Sequence, residues 1–219
     1  MQILFEDNHL LVLNKPANWV VQGAGPGQKS LLDWSAAYLK AKYDKPGKVF
    51  IGVVSRLDAP VTGVIPFART SKAASRLSEQ FRDHTTRKTY WAIVSRRPKE
   101  LVARLEHHLL RREEDFKTHV SASATAESKL SILEYRCIGQ NSLGFDLEIN
   151  LITGRKHQIR IQLETIGCPI LGDTKYGSNE PFAEGIALHC RSLALSHPTL
   201  KTELHFEAKL PEYWQWSRQ

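Results

Sequence analysis

Apolar runs of strand length follow one another in this chain with no helix between them. Ile3–Phe5 and Leu10–Leu13 flank an Asp7-Asn8 turn. Lys129–Cys137 and Gly144–Leu151 alternate apolar and polar positions, and Ala187–Leu195 leads into Glu203–Ala208. Strands joined by a few residues pair antiparallel, because a parallel neighbour needs a crossover of a dozen or more residues. The pattern excludes a regular βαβ repeat. It predicts an α+β fold with a mixed, largely antiparallel central sheet and flanking helices and loops. Further strands are predicted over Val49–Val54, Gly63–Ala68 and Lys88–Val94. Helices are predicted over Ser30–Lys42, from a Ser71 cap to about His84, and over Lys156–Ile166. Ser30 and Asp33 have capping-box spacing. Ala73, Leu77 and Phe81 form one stripe, as do Ile159, Leu163 and Ile166. Residues 95–125 are weakly patterned. No repeat, low-complexity tract or long linker divides the chain, so a single domain over 1–219 is expected.

Charge narrows the class of partner. The net charge is +7, and residues 69–112 hold twelve Lys/Arg against four Asp/Glu. A basic block of this kind suits a polyanion, most naturally nucleic acid, although a solvated helix face has the same composition. No apolar run approaches the roughly 18 residues of a membrane span. The opening MQILFEDNHL lacks the basic start of a secretory signal. Cys137, Cys168 and Cys190 are odd in number and widely spaced, which points to a reducing, cytoplasmic compartment and to no disulfide framework. The histidines show no ligand spacing, and the adjacent His107-His108 pair reads as surface. No metal and no cofactor are expected.

Three segments carry candidate chemistry. In Ser55-Arg56-Leu57-Asp58-Ala59-Pro60-Val61-Thr62-Gly63, an apolar strand delivers Arg56 and Asp58 to a loop two residues apart. In extended chain that spacing puts both on one face, and a guanidinium nearby favours the ionised carboxylate. Such a carboxylate can act as nucleophile or charge stabiliser; a plain turn aspartate before proline has the same sequence. The second segment, Thr153-Gly154-Arg155-Lys156-His157-Gln158-Ile159-Arg160, enters a helix with basic residues beside its first N–H groups, an arrangement suited to phosphate. A capped amphipathic helix reads the same way. In the third, Arg87-Lys88-Thr89-Tyr90-Trp91-Ala92, the two rings fall on opposite faces of a strand, so at most one meets a site.

Taken together, these segments resemble the RluA-type pseudouridine synthase family over nearly the whole chain. ILFEDNHLLVLNKP at 3–16 resembles its opening strand pair and RLD at 56–58 its catalytic motif. KTYWAIV at 88–94 is similar to the strand bearing its active-site tyrosine. TGRKHQIRIQLETIGCPILGDTKYG at 153–177 is the longest match, and ALHCRSLALSHP at 187–198 resembles its closing strand and turn. The resemblance implies the pseudouridine synthase fold and an isomerase that acts on uridine within structured tRNA or rRNA. It would cleave the N1–C1′ bond, turn the uracil and rejoin it through C5. Asp58 matches the catalytic aspartate, Arg160 the arginine that pairs with it, and Tyr90 the tyrosine that stacks on the base. Arg56 matches a residue that holds the RNA where the base has been extruded. Lys15, Arg155, Lys156, His157 and Gln158 are implied RNA contacts. Arg69, Lys72, Arg87 and Lys88, from the basic block, are expected to bind phosphates. A buried base cannot be turned in place, so base flipping is expected.

The departures from the family pattern lie in the catalytic loop. Ser55, Val61 and Thr62 stand where the family has His, Thr and Ser, while Arg56, Leu57, Asp58 and Gly63 are retained. Asn18 stands where the family often has Gly, and Asn is the residue that best tolerates the same left-handed backbone. The pattern begins at Ile3, so a short form without an S4 domain is expected, acting as a monomer with no obligatory protein partner. An inactive relative that only binds RNA is the alternative.

Overall fold

The computed structural model describes residues 1–112 and 114–217, the side chains of 215–217 excepted. In chain order the elements are β1 (Gln2–Glu6), β2 (Leu10–Lys15), α1 (Leu31–Lys42), β3 (Gly52–Val53), β4 (Thr62–Ala68), α2 (Ser71–Arg82) and β5 (Arg87–Val94). There follow β6 (Val102–Arg111), β7 (Thr118–Ser121), β8 (Lys129–Gln140), β9 (Phe145–Leu151), α3 (Gln158–Thr165), β10 (Leu188–Ser196) and β11 (Glu203–Glu207). The chain divides into two compact units. One is Met1–Thr86 with Cys190–Leu210; the other is Arg87–His189 with the chain from Pro211 onward.

In the first unit the strand order is β1-β2-β4-β10, with β11 on β10 and β3 on β4. The Asp7 side chain makes the β1–β2 turn: its Oδ1 accepts from His9 N and Leu10 N, both at 2.7 Å. β2 and β4 pair antiparallel from Leu10↔Ala68 to Lys15↔Gly63. Leu11, Leu13, Ile65 and Phe67 from these strands meet Val21 and the α1 residues Leu31 and Leu39 in one core. Ser30 caps α1 by accepting from Asp33 N, as its spacing implies. The cap of α2 is Thr70, one residue before the expected Ser71, with its side chain accepting from Ala73 N. The apolar run Val49–Val54 is mostly not strand: only Gly52 and Val53 pair, with Ala68 and Phe67. Val49, Ile51 and Val53 are apolar because they pack on the core cluster, which needs no ladder. Gly63, at φ +113°, is required where it stands, since a Cβ there would lie 2.2 Å from the Cys190 carbonyl oxygen.

The second unit runs β5-β9-β8-β6-β7, every neighbouring pair antiparallel. The weakly patterned stretch 95–125 contains two of these strands, β6 and β7. In β6, Leu105 and Leu109 are buried, and the inward position between them is His107. Gln162 of α3 sits 3.1 Å from His107 Nδ1, and burial holds the imidazole below its ordinary pKa. A histidine on the inner face breaks the apolar alternation that marks a strand in sequence. The helix expected over Lys156–Ile166 begins at Gln158, with Ile159 and Leu163 buried as expected.

Candidate active site

In the first unit the site is a loop pinned from three directions. Leu57 packs on the core cluster, while its neighbours do not follow it inward: Arg56 is exposed and Asp58 half-buried. Val61 N donates to Asp58 O at 3.0 Å and closes the turn, and Asn18 N donates to Ala59 O at 2.8 Å. Asn18 has φ +63°, the left-handed backbone expected of it. The third pin is Lys15. Its side chain is fully buried, and its Nζ donates to the carbonyls of Pro16, Ala59 and Val61 at 2.9, 2.7 and 2.7 Å. Burial pushes the Lys15 pKa down to about 7, against the opposing pull of the Asp58 charge. Lys15 therefore departs from the RNA contact implied for it. Its donors are taken up by backbone carbonyls, and no ammonium reaches the surface.

Arg69 differs in the same way. Its side chain is buried and bonded to Glu6 Oε1 at 3.2 Å and to the Asp7 carbonyl, with its guanidinium 4.9 Å from the Tyr43 ring centroid. Burial alone would raise the Glu6 pKa; hydrogen bonds from Lys42, Tyr43 and Tyr38 bring it down to about 2. Arg69 is thus part of a structural charge network, whereas Lys72 of the same basic block is exposed.

The second unit carries the other candidates. Tyr90 is buried in β5 opposite Ile149 of β9, and Trp91, on the other face, is half-buried. Arg87 is exposed and Lys88 half-buried at the start of the same strand. At the entry to α3, Arg155 and Lys156 are exposed. Gln158 was expected to read RNA but is buried. Its Oε1 accepts from Thr153 Oγ1 at 2.8 Å and Arg155 N at 2.9 Å, and its Nε2 donates to Ile132 O at 3.0 Å. This side chain ties the loop before α3 to β8. His157 is the N-cap of α3 with φ +56°, and its Nδ1 lies 2.7 Å from the Tyr176 hydroxyl. Arg160 is buried in a two-pronged ion pair. Its Nε donates to Asp173 Oδ2 at 2.6 Å and an NH2 hydrogen goes to Oδ1 at 2.7 Å. Asp173 and Tyr176 belong to the longest motif, yet nothing in their local sequence marks them as partners of Arg160. Their only signal is membership of the same matched segment.

Among the described residues no group of three or more His, Cys, Asp or Glu side chains could hold a metal. No described helix is long and apolar enough to cross a membrane.

Comparison with known proteins places this geometry in context. The family RNA pseudouridylate synthase matches residues 9–165. A ribosomal large subunit pseudouridine synthase C of Rickettsia prowazekii is 33% identical over 218 residues, covering 97% of this chain and 69% of that protein. A ribosomal large subunit pseudouridine synthase D of Zymomonas mobilis is 31% identical over 98% of this chain and 71% of its own length. Among solved structures, human RNA pseudouridylate synthase domain containing 4 superposes with a TM-score of 0.81 at 26% identity, covering 99% of this chain and 91% of that one. Human RNA pseudouridylate synthase domain containing 1 shares the fold at a TM-score of 0.76 and 20% identity, covering 98% and 85% of the two chains.

Proposed function

As the chain belongs to the RNA pseudouridylate synthase family, and is thereby an isomerase, we propose that it converts uridine to pseudouridine in large-subunit ribosomal RNA. The relatives named for the ribosomal large subunit support rRNA over tRNA as its substrate. Asp58 is the catalytic carboxylate, acting on the sugar of a flipped-out nucleotide. Tyr90 and Arg160 are the other catalytic residues, the tyrosine stacking on the uracil. Residues 1–219 work as one catalytic domain, as a monomer with no obligatory protein partner.

The observation that carries this reading is the loop around Asp58. Three donors, Lys15 Nζ, Asn18 N and Val61 N, hold its backbone, while Leu57 anchors it in the core. A rigid loop that presents one half-buried carboxylate is what positioning at a sugar requires. The chemistry needs no second carboxylate. A hydrolytic glycosidase uses one to activate water. Here the uracil leaves through N1, turns, and bonds C1′ through C5; C5 then gives up its proton and N1 takes one up, so no water enters. The substituted positions fit the same loop. Val61 is buried and contributes its backbone carbonyl, so an apolar side chain is at home there.

Arg56, Lys72, Arg87, Lys88, Arg155 and Lys156 hold the RNA backbone, with His157 beside them. Cys137, Cys168 and Cys190 form no disulfide among the described residues, which suits a cytoplasmic site of action. The test is pseudouridine mapping on total RNA from cells with and without the gene. A site in large-subunit rRNA is expected to disappear, and to return with wild-type protein but not with Asp58→Asn. Recovery with Asp58→Asn would overturn the assignment of the carboxylate. A lost site in tRNA alone would overturn the substrate, and no lost site would favour a protein that only binds RNA.

A further inference from the structure

Arg160 is oriented by more than its ion pair. Asp173, itself fully buried, takes one edge of the guanidinium through two N–H donors. The Tyr176 ring lies under the guanidinium, 4.9 Å from Cζ to the ring centroid. An edge contact and a face contact together fix both the direction and the plane of a flat group. The Nη1 side of the guanidinium then faces a set direction. A buried ion pair is a poor way to gain stability, since apolar residues of the same volume do as well or better. Fixing a guanidinium is what such a pair does that apolar residues cannot.

The Tyr176 hydroxyl extends the arrangement. It accepts from Thr118 N at 2.9 Å and lies within hydrogen-bond reach of His157 Nδ1 at 2.7 Å. Burial raises the phenol pKa, which keeps the hydroxyl protonated. Thr118 begins β7, directly after the turn closed by Arg112 N to Lys117 O at 3.0 Å. Two more bonds tie this turn to the same region: Thr118 Oγ1 to Lys156 O at 3.1 Å, and Lys175 Nζ to Phe116 O at 2.8 Å. Around it Arg111, Arg112 and Lys156 are exposed, and so are Glu114 and Asp115 within the turn.

We propose that Asp173 and Tyr176 are positioning residues for Arg160, the Tyr176 hydroxyl being held in turn by Thr118 N at the start of β7. The inference rests on the role assigned to Arg160 above.

The experiment compares wild type, Arg160→Ala, Asp173→Asn, Asp173→Glu and Tyr176→Phe on total RNA from cells lacking the gene. It reads the single-turnover rate at the restored site and, separately, RNA affinity. Asp173→Asn is expected to slow the rate by about 10²-fold and Tyr176→Phe by about 10-fold, the scale of an ångström-level misplacement, with affinity unchanged. Asp173→Glu should recover part of the loss. In an Arg160→Lys background both substitutions should add little, because the group they position is gone. Tyr176→Phe keeps the ring and the packing, so it remains informative if Asp173→Asn fails to fold. Rates like wild type in Tyr176→Phe and Asp173→Asn, with Arg160→Ala inactive, would overturn this inference and leave the proposed function standing. Full activity in Arg160→Ala would overturn both the role of Arg160 and the inference built on it.

Discussion

The Asp58 loop and the Arg160 helix entry are held by different kinds of bond. Around Asp58 the contacts end on backbone: Lys15 Nζ reaches the carbonyls of Ala59 and Val61, and Asn18 N reaches Ala59 O. Around Arg160 bonds between side chains join those to backbone: Arg160 to Asp173, Tyr176 to His157, Gln158 to Thr153. A carbonyl is present whatever residue carries it, so a loop held by backbone tolerates changes of side chain. A network of side chains does not. This accounts for where the chain departs from its family pattern. Ser55 and Val61 lie in the loop held by backbone and Thr62 at its junction with β4, while the stretch 153–177 keeps its longest match.

Lys15→Met is expected to make the largest break, because it removes the side chain that bonds two carbonyls of the first loop. Three carbonyls lose a charged donor, costing about 2–3 kcal/mol in urea unfolding and loosening Asp58. The pH dependence has a set sign. The Lys15 pKa falls from 10.5 in the unfolded chain to about 7 in the folded one, so the unfolded chain binds more protons between those values. Stability contributed by this group therefore rises with pH across that window, and Lys15→Met should flatten the slope. An unchanged slope would show that the lysine is not buried as described.

Gln158→Leu comes next and tests the other side of the comparison. It strips partners from Thr153 Oγ1, Arg155 N and Ile132 O at once, with an expected cost of about 1–3 kcal/mol. Amide exchange at Arg155 should speed up while that at Val61 stays slow. Equal loosening of both loops would erase the distinction. Asn18→Gly should be the smallest effect, within about 1 kcal/mol, because the left-handed φ of +63° suits both residues and the bond from residue 18 N to Ala59 O survives. A large loss would mean that the Asn18 side chain carries part of the loop.

Most elements were legible from local pattern. β8 and β9 alternate plainly, Ser30 announces α1, and Leu57 between Arg56 and Asp58 already separates an inward residue from two outward ones. β6 escaped because His107 occupies an inward position that only Gln162, far along the chain, makes tolerable. The run Val49–Val54 misled in the opposite sense, since apolar character reports burial and not hydrogen-bond pairing.

Periodicity in the sequence determined the class of fold, while the family and the candidate carboxylate followed from the resemblance of motifs contiguous in the chain to those of known proteins. Only the tertiary structure decided what the charged and polar side chains do. Lys15, Arg69 and Gln158 have the composition of RNA contacts and are buried fixtures instead; Asp173 and Tyr176 have no local signature and surround Arg160. The cost of burying a polar group depends on its partners, and those partners come from distant segments that only folding brings within hydrogen-bond reach.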